Sequence, residues 1–294
     1  MALNLHHLRV FARVAEEGGF TRAAQALRLS QPAVSKAVRE LERQTGVPLF
    51  ERAGRVTRLT AAGDALFARA RELFAVERSA EEELRALRGL SGGVLRVGAS
   101  TTVATYLLFP YLARFRATNP GVKLRVASAN TRAIARALLE RRLDVALVEG
   151  PVRHARIEVI PWREDELVLI TPPAHRLATK RSIDLRELAA EPLIVREPGS
   201  GTRRVAEHAL AAHDVSPTVA LQLGSTEAIK QAVAAGLGVA FVSRFAVEEQ
   251  VKLGRIAAVR VREAALRRML TELRLRGRAE GPGAVAFRAL LSLA

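Results

Sequence analysis

Gln31, Pro32, Ala33, Ser35, Lys36 and Arg39 cluster near the start of the chain. Their groups match the edges of base pairs. Gln31 can pair with adenine through two hydrogen bonds, Ala33 can touch a thymine methyl, and Ser35 can donate or accept. Lys36 and Arg39 can reach bases or phosphates. Just upstream, Thr21 and Arg22 offer a hydroxyl and a guanidinium that suit a phosphate at a helix start. Arg52, Arg55 and Arg58 follow around Ala53-Gly54, and an arginine beside a loop glycine suits a narrow minor groove. Each residue also has a plainer reading. Gln31 can be a turn residue and Ser35 a solvated helix position. Arg39 with Glu42, or Arg43 with Glu40, can be an ordinary helix ion pair. The ordered grouping points to double-stranded DNA as a ligand.

A second set of polar groups lies at apolar strand ends. Leu95–Gly98 runs into Ala99-Ser100-Thr101-Thr102. Leu193–Arg196 runs into Glu197-Pro198-Gly199-Ser200-Gly201-Thr202-Arg203. Hydroxyls and free N–H groups where a strand gives way to a helix make an anion site, and the glycines let the backbone converge. Glu149 ends a third strand, and Ser225-Thr226 begins another helix. Glu149 can accept from a ligand, repel an unwanted anion, or fix a hinge. Arg196 and Arg203 can supply positive charge. The competing reading is that Ser100 and Thr102 are ordinary helix caps and 199–202 an ordinary strand–helix turn.

Other chemistries are excluded or unsupported. The chain has no cysteine, so disulfides, thiolate metal sites and cysteine nucleophiles are ruled out. The six histidines have no metal spacing, and no HExxH, GxSxG or GxxxxGK[ST] pattern occurs. An enzyme is not expected, and neither a cofactor nor a metal. The net charge of +16 favours an anionic partner, although an arginine-rich surface alone also produces it. No run approaches eighteen apolar residues, and the first twenty lack a secretory pattern. A cytoplasmic protein without membrane contact is therefore expected.

Three short helices are needed to hold the first set. Apolar spacing places one over 3–17, stopped by Gly18-Gly19. A second spans 22–28 behind Thr21 as N-cap, and a third runs from Pro32 to about Gln44, with Gly46 as its stop. This is a helix-turn-helix, with Val34, Val38 and Leu41 packing on Phe11, Val14, Ala23 and Leu27. Segments 48–52 and 56–59 form a small β wing. Thr60 then caps a helix to about 88, in which Leu59, Gly63, Leu66, Ala70, Leu73, Glu77, Ala80, Leu84 and Leu87 trace a coiled-coil seam. An isolated helix of this length calls for self-association, so a homodimer through 60–88 is expected. Ser91-Gly92-Gly93 is a joint. Beyond it, strands at 94–98, 123–127, 144–148, 166–171, 193–196, 219–223 and 239–243 alternate with helices, as in an α/β domain with a mainly parallel sheet.

The stretch FTRAAQALRLSQPAVSKAVRELERQTGVPLFERAGRVTRLTAAGDAL closely resembles the N-terminal signature of the LysR family of transcriptional regulators. GVLRVGASTTVATYLLFPYLARFRATNPGVKLRV, LLERRLDVALVEGP, WREDELVLITPPAHRLA and REPGSGTRR resemble its effector domain. Within the family the chain looks similar to regulators of sulfur and cysteine metabolism and of carbon-dioxide fixation genes. The resemblance implies an α/β protein with a winged helix-turn-helix at 1–59, a linker and dimerisation helix at 60–89, and a periplasmic-binding-protein-like effector domain at 90–294. That domain would divide into 92–162 plus 266–294 and 163–265, with crossovers near 161–164 and 262–267. The resemblance also implies a dimer of dimers on an interrupted A/T-rich inverted repeat, RNA polymerase as a further partner, and a small anionic effector between the subdomains. Ser100, Thr102 and Thr202 match positions where the sulfur-sensing branch holds an oxyanion. Val103 departs from a polar residue found there, which speaks against sulfate.

Overall fold

The computed structural model describes residues 3–53, 56–87, 92–262, 266–278 and 280–292, without the side chains of 52, 53, 56, 79, 82, 83 and 85–87. Arg55, the Arg52 side chain and Ser91 lie outside the described residues. The chain forms two compact units, 1–81 and 82–294.

In the first unit, α1 (Leu5–Glu17) begins where the Asn4 side chain accepts the His6 and His7 amides and ends at Gly18, whose φ is 64°. Helix α2 (Phe20–Leu27) starts one residue before Thr21, behind an extended Gly19 that makes no side-chain cap. Thr21 is therefore inside the helix, not its N-cap. The earlier start lets Phe20 stack edge-on against Phe50 at 5.5 Å. Helix α3 (Gln31–Thr45) is capped by Ser30, whose hydroxyl accepts from the Ala33 amide at 3.4 Å. Pro32 thus follows the first helical residue, still within the turn whose amides need no helical partner.

Strands β1 (Phe50–Ala53) and β2 (Val56–Leu59) pair antiparallel as the wing, with Glu51 opposite Arg58. Helix α4 (Ala61–Leu87) follows Thr60, whose hydroxyl accepts the Gly63 amide at 3.0 Å. A Cβ on Gly63 would lie 2.1 Å from the Leu49 carbonyl oxygen, so glycine lets α4 seat on the small core. The expected seam is divided as a result. Ala70 and Phe74, with the half-buried Leu66, join Phe11, Val14, Ala23, Val34, Val38 and Leu41 in one cluster. Glu77 pairs with Arg9 at 2.6 Å. Among the described side chains of α4, Leu73, Val76 and Leu84 remain as exposed apolar groups, and the Leu87 side chain lies outside the described set.

The second unit contains β3 (Gly93–Ser100), α5 (Thr101–Tyr106), α6 (Phe109–Thr118), β4 (Val122–Ala129), α7 (Thr131–Leu139), β5 (Val145–Glu149) and β6 (Ile157–Thr171). It continues through β7 (Ser182–Ile183), β8 (Leu193–Arg196), α8 (Gly201–Ala212), β9 (Val219–Leu223), α9 (Thr226–Ala234), β10 (Val239–Ser243), α10 (Glu248–Lys252), β11 (Ala257–Val261), β12 (Arg267–Leu275) and α11 (Pro282–Leu291). One sheet is ordered β4-β3-β5-β12-β6 and the other β9-β8-β10-β6-β11-β7. Parallel runs β4-β3-β5 and β10-β8-β9 are joined to antiparallel β12 and β6.

Strand β6 belongs to both sheets. Ile157–Glu166 pairs with β12, whereas Leu167–Thr171 pairs with β10 and β11. The change of partner falls at Glu166/Leu167, slightly beyond the expected crossover at 161–164. Of the second crossover, residues 263–265 are outside the described set. Helices cover both faces of each sheet. Apolar clusters under α5, α6 and α11 and under α7 fill the first sheet, and clusters under α8 and under α9 fill the second.

Candidate functional site

Helix α3 presents its first turns to solvent. Gln31, Pro32, Ala33, Lys36 and Arg39 are exposed, whereas Val34, Ala37, Val38 and Leu41 face the core. This division follows from helical periodicity: the buried set repeats every three or four residues and leaves the intervening polar positions outside. Gln31 Nε2 donates to the half-buried Ser35 hydroxyl at 3.1 Å, so these two form one polar unit. Arg39 donates to the Ser35 carbonyl at 3.3 Å instead of pairing with Glu42. Arg43 does pair with Glu40, as the ordinary ion-pair reading of this helix face expects. Lys36 has no hydrogen-bond or ion-pair partner among the described residues. Thr21 is exposed, and Arg22 caps the end of α1 by donating to the Gly18 carbonyl at 3.0 Å. Arg58 is exposed on β2.

In the second unit the polar strand ends meet across the cleft between the two sheets. The Glu149 carboxylate is buried and accepts hydrogen bonds from Ser100 Oγ, from Thr102 Oγ1 at 3.2 Å, and from Thr202 Oγ1 at 3.4 Å. None of these partners is basic. Ser100 stands at the start of α5, yet its hydroxyl turns to Glu149 and makes no helix cap. Two glycines allow the close approach. A Cβ on Gly201 would be 1.9 Å from the Glu149 carbonyl oxygen, and one on Gly150 would be 2.8 Å from the Gly201 Cα.

A second cluster surrounds the buried Arg196. Its guanidinium donates to Glu197 at 2.8 Å, to Thr226 Oγ1 at 3.1 Å and, across the cleft, to Thr101 Oγ1 at 2.8 Å. Beside it, the Tyr106 hydroxyl reaches Glu227, which Lys230 also contacts at 2.7 Å. Burial, together with the bond to Glu227, pushes the Tyr106 hydroxyl far above its usual range, so it stays protonated. Gly199 contributes its carbonyl, which accepts the Arg132 amide at 3.2 Å from the other side.

Three expected residues serve locally. Ser200 and Ser225 cap α8 and α9. Arg203 ties α8 to Gln222 of β9 and pairs with Glu207 one turn along its own helix.

The sequence reading missed Asp165, Arg268 and Ser243. Asp165 is 0% and Arg268 2% exposed at their side chains. Asp165 accepts from Arg268 Nε and from Ser243 Oγ, both at 2.7 Å, and Arg268 Nη1 donates to Thr202 at 2.9 Å. A continuous polar chain therefore runs from the shared strands to the cleft hydroxyls. No local signal singles them out: Asp165 sits in the charged run Arg163–Glu166 and Arg268 follows Arg267, so neither reads as a buried charge from its neighbours.

Comparison with known proteins agrees with this geometry. Residues 5–64 match the bacterial regulatory helix-turn-helix proteins of the lysR family, and residues 88–293 match the LysR substrate binding domain. The RuBisCO operon transcriptional regulator of Allochromatium vinosum is 37% identical, over 98% of this chain and 95% of its own length. A full-length OxyR variant from Pseudomonas aeruginosa superposes with a TM-score of 0.78 at 26% identity, covering 99% of this chain and 94% of that one. The regulatory domain of Synechocystis CcmR, solved in complex with 2-phosphoglycolate, superposes with a TM-score of 0.65 at 28% identity, covering 68% of this chain and 96% of that one. The relatives are regulators, not enzymes. No helix among the described residues is long and apolar enough to cross a membrane. With a helix-turn-helix matched over residues 5–64, a two-sheet substrate-binding domain matched over 88–293 and a relative 37% identical over 98% of this chain, the chain belongs to the LysR family of DNA-binding transcriptional regulators.

Proposed function

We propose that this regulator reads DNA with the exposed edge of α3 and is controlled by a small anion held between the two sheets of its effector domain. Gln31, Ala33 and Ser35 contact bases. Lys36 and Arg39 contact bases or phosphates, Thr21 and Arg22 hold a phosphate, and Arg52, Arg55 and Arg58 of the wing approach the minor groove. The domains are 1–59, 60–89 and 90–294. The exposed stripe Leu73, Val76 and Leu84 on α4 pairs with a second copy, and two such dimers form a tetramer on paired half-sites.

The observation that carries the sensing half is the convergence of Ser100, Thr102 and Thr202 from both sides of the cleft, with buried Arg196 and Arg268 nearby. The 2-phosphoglycolate complex of CcmR supports an anionic ligand class. Glu149 narrows it. A fully ionised oxyanion would meet a buried carboxylate, so the effector brings a hydroxyl or an acidic proton that donates to Glu149. Ligand that binds one subdomain angle more tightly shifts the population toward it and so alters half-site spacing and polymerase access.

The test is the melting temperature of the protein against sulfite, sulfate, thiosulfate, phosphate, nitrate and 2-phosphoglycolate. A ligand at a hundred times its dissociation constant stabilises by about 2.7 kcal/mol. A selective shift that is lost in Ser100→Ala or Thr202→Ala is expected. No shift with any anion would reject the anionic effector.

A further inference from the structure

The second sheet carries an open groove of about 530 Å³ between α10 and strands β6 and β11. Small-molecule sites typically enclose about 300–1,000 Å³. The groove is separate from the hydroxyl cluster at Glu149: none of Ser100, Thr102, Glu149 or Thr202 lines it. Its floor is the margin of the apolar layer under α9. Val168 and Val247 are buried members of that layer, and Val251 and Ala258 continue it into solvent.

The walls around this floor are basic: four cationic side chains stand against two carboxylates. Glu166 lies between two guanidiniums, Arg260 at 3.3 Å and Arg244 at 3.5 Å. Arg181, just before β7, and Lys252, at the end of α10, have no hydrogen-bond or ion-pair partner among the described residues. An apolar strip flanked by uncommitted cations matches a molecule with an apolar body and an anionic head. The body covers Val168, Val247 and Val251, and the head meets Arg181 and Lys252. A bare inorganic anion would leave the strip wet.

The groove also touches the strand shared by both sheets. Glu166 and Arg244 directly follow Asp165 and Ser243, which are joined at 2.7 Å beside Arg268. A ligand there sits next to the polar chain that reaches Thr202.

We propose that this groove is a second small-molecule site, specific for an organic phosphate or carboxylate with an aromatic or aliphatic body. It stands independently of the anion reading of the cleft. The test is calorimetric titration of the full-length protein with phenyl phosphate, with inorganic phosphate as the comparison. Binding of phenyl phosphate is expected to survive Thr202→Ala, which removes a cleft hydroxyl. It is expected to weaken by about tenfold in Arg181→Ala/Lys252→Ala and to weaken further as salt rises. Both substituted residues are exposed and make no hydrogen bond or ion pair among the described residues, so the fold is retained, and an unchanged melting temperature checks this. Equal affinity for inorganic phosphate would overturn the proposal, because the apolar floor would then contribute nothing. Loss of binding in Thr202→Ala would move the ligand to the cleft and overturn it as well. Absence of binding at millimolar phenyl phosphate, with capture of an acidic peptide by the same cations, would reject a small-molecule site in favour of a protein partner.

Discussion

Replacing Gly201 with alanine should hold the effector cleft open. The new Cβ would lie 1.9 Å from the Glu149 carbonyl oxygen, 2.6 Å from its carbon and 2.8 Å from the Thr131 hydroxyl, where ordinary contact begins at 3.4 Å. The nearest obstacle is backbone at the end of β5 and cannot rotate away. The two segments must part by about 1.5 Å, or the core must absorb an overpacking cost of about 1–3 kcal/mol. Gly201 does not have a positive φ and starts α8, so alanine suits the local backbone and the clash is the whole effect. Separation is read at a single amide. Arg132 N–H lies in the first turn of α7, where it has no helical partner, and donates across the cleft to the Gly199 carbonyl at 3.2 Å. Hydrogen exchange at Arg132 should accelerate in Gly201→Ala, and any effector that binds the closed cleft should bind more weakly. Gly224→Ala is the control, since no atom of the described residues lies within 4 Å of its Cβ position. If Arg132 exchange, effector affinity and melting temperature all matched the parent protein, the close approach at Gly150 and Gly201 would not be what sets the cleft.

The buried Asp165–Arg268 pair gives a second test. Arg268→Met strands a buried carboxylate at a cost of about 3–5 kcal/mol, which in a domain of some 200 residues lowers the melting temperature by roughly 6–20 °C. Asp165→Leu/Arg268→Met should recover most of that loss, and thermal denaturation of the three variants decides it. On DNA, Gln31→Ala/Ser35→Ala should remove sequence preference and leave salt-sensitive nonspecific binding intact. Lys36→Ala should weaken all duplexes alike and reduce the salt slope by about 1, as gel-shift titration over a salt series would show. The Tyr106–Glu227 contact predicts a pH response. Burial opposes the charge on Glu227, but hydrogen bonds from Lys230 and Tyr106 outweigh it and hold the carboxyl below its usual range. Its contribution is therefore complete above the unfolded carboxyl pKa of about 4.3 and is lost as pH falls through the lower folded value. Arg132 exchange, corrected for its intrinsic pH dependence, should stay constant from neutral pH down to about 5 and rise only as pH falls below the ordinary carboxyl range.

Local sequence determined the DNA-reading half almost completely. The helix-turn-helix rests on short-range rules: apolar residues at helical spacing, glycine stops, and proline at a helix start. Those rules are satisfied within a few residues of chain, so α1, α3 and the core of Phe11, Val34 and Leu41 were legible. The errors came from contacts outside the local stretch. Thr21 has the right chemistry for a cap, but packing of Phe20 on Phe50 starts α2 earlier. The seam of α4 read as a partner surface along its whole length. Its first half instead completes the core of its own domain, a choice that depends on where Leu49 and Phe11 lie in space.

For the effector domain, the sequence located strand ends and hydroxyls but not what they face. Ser100, Thr102 and Thr202 are 102 residues apart at their extremes and share one carboxylate only because two sheets bring them together. Whether Glu149 meets a cation, a hydroxyl or water is a question of three-dimensional neighbours, and no spacing rule answers it. Strand β12 shows the same limit. Its sequence, RRMLTELRL, mixes charges among apolar residues and gives no clear strand signal, yet it pairs with both β5 and β6. Arg268 is tolerated in its interior because Asp165, 103 residues earlier, lies opposite with its carboxylate. Burial of a charge is affordable only beside its counter-charge, and tertiary structure alone decides where that counter-charge stands.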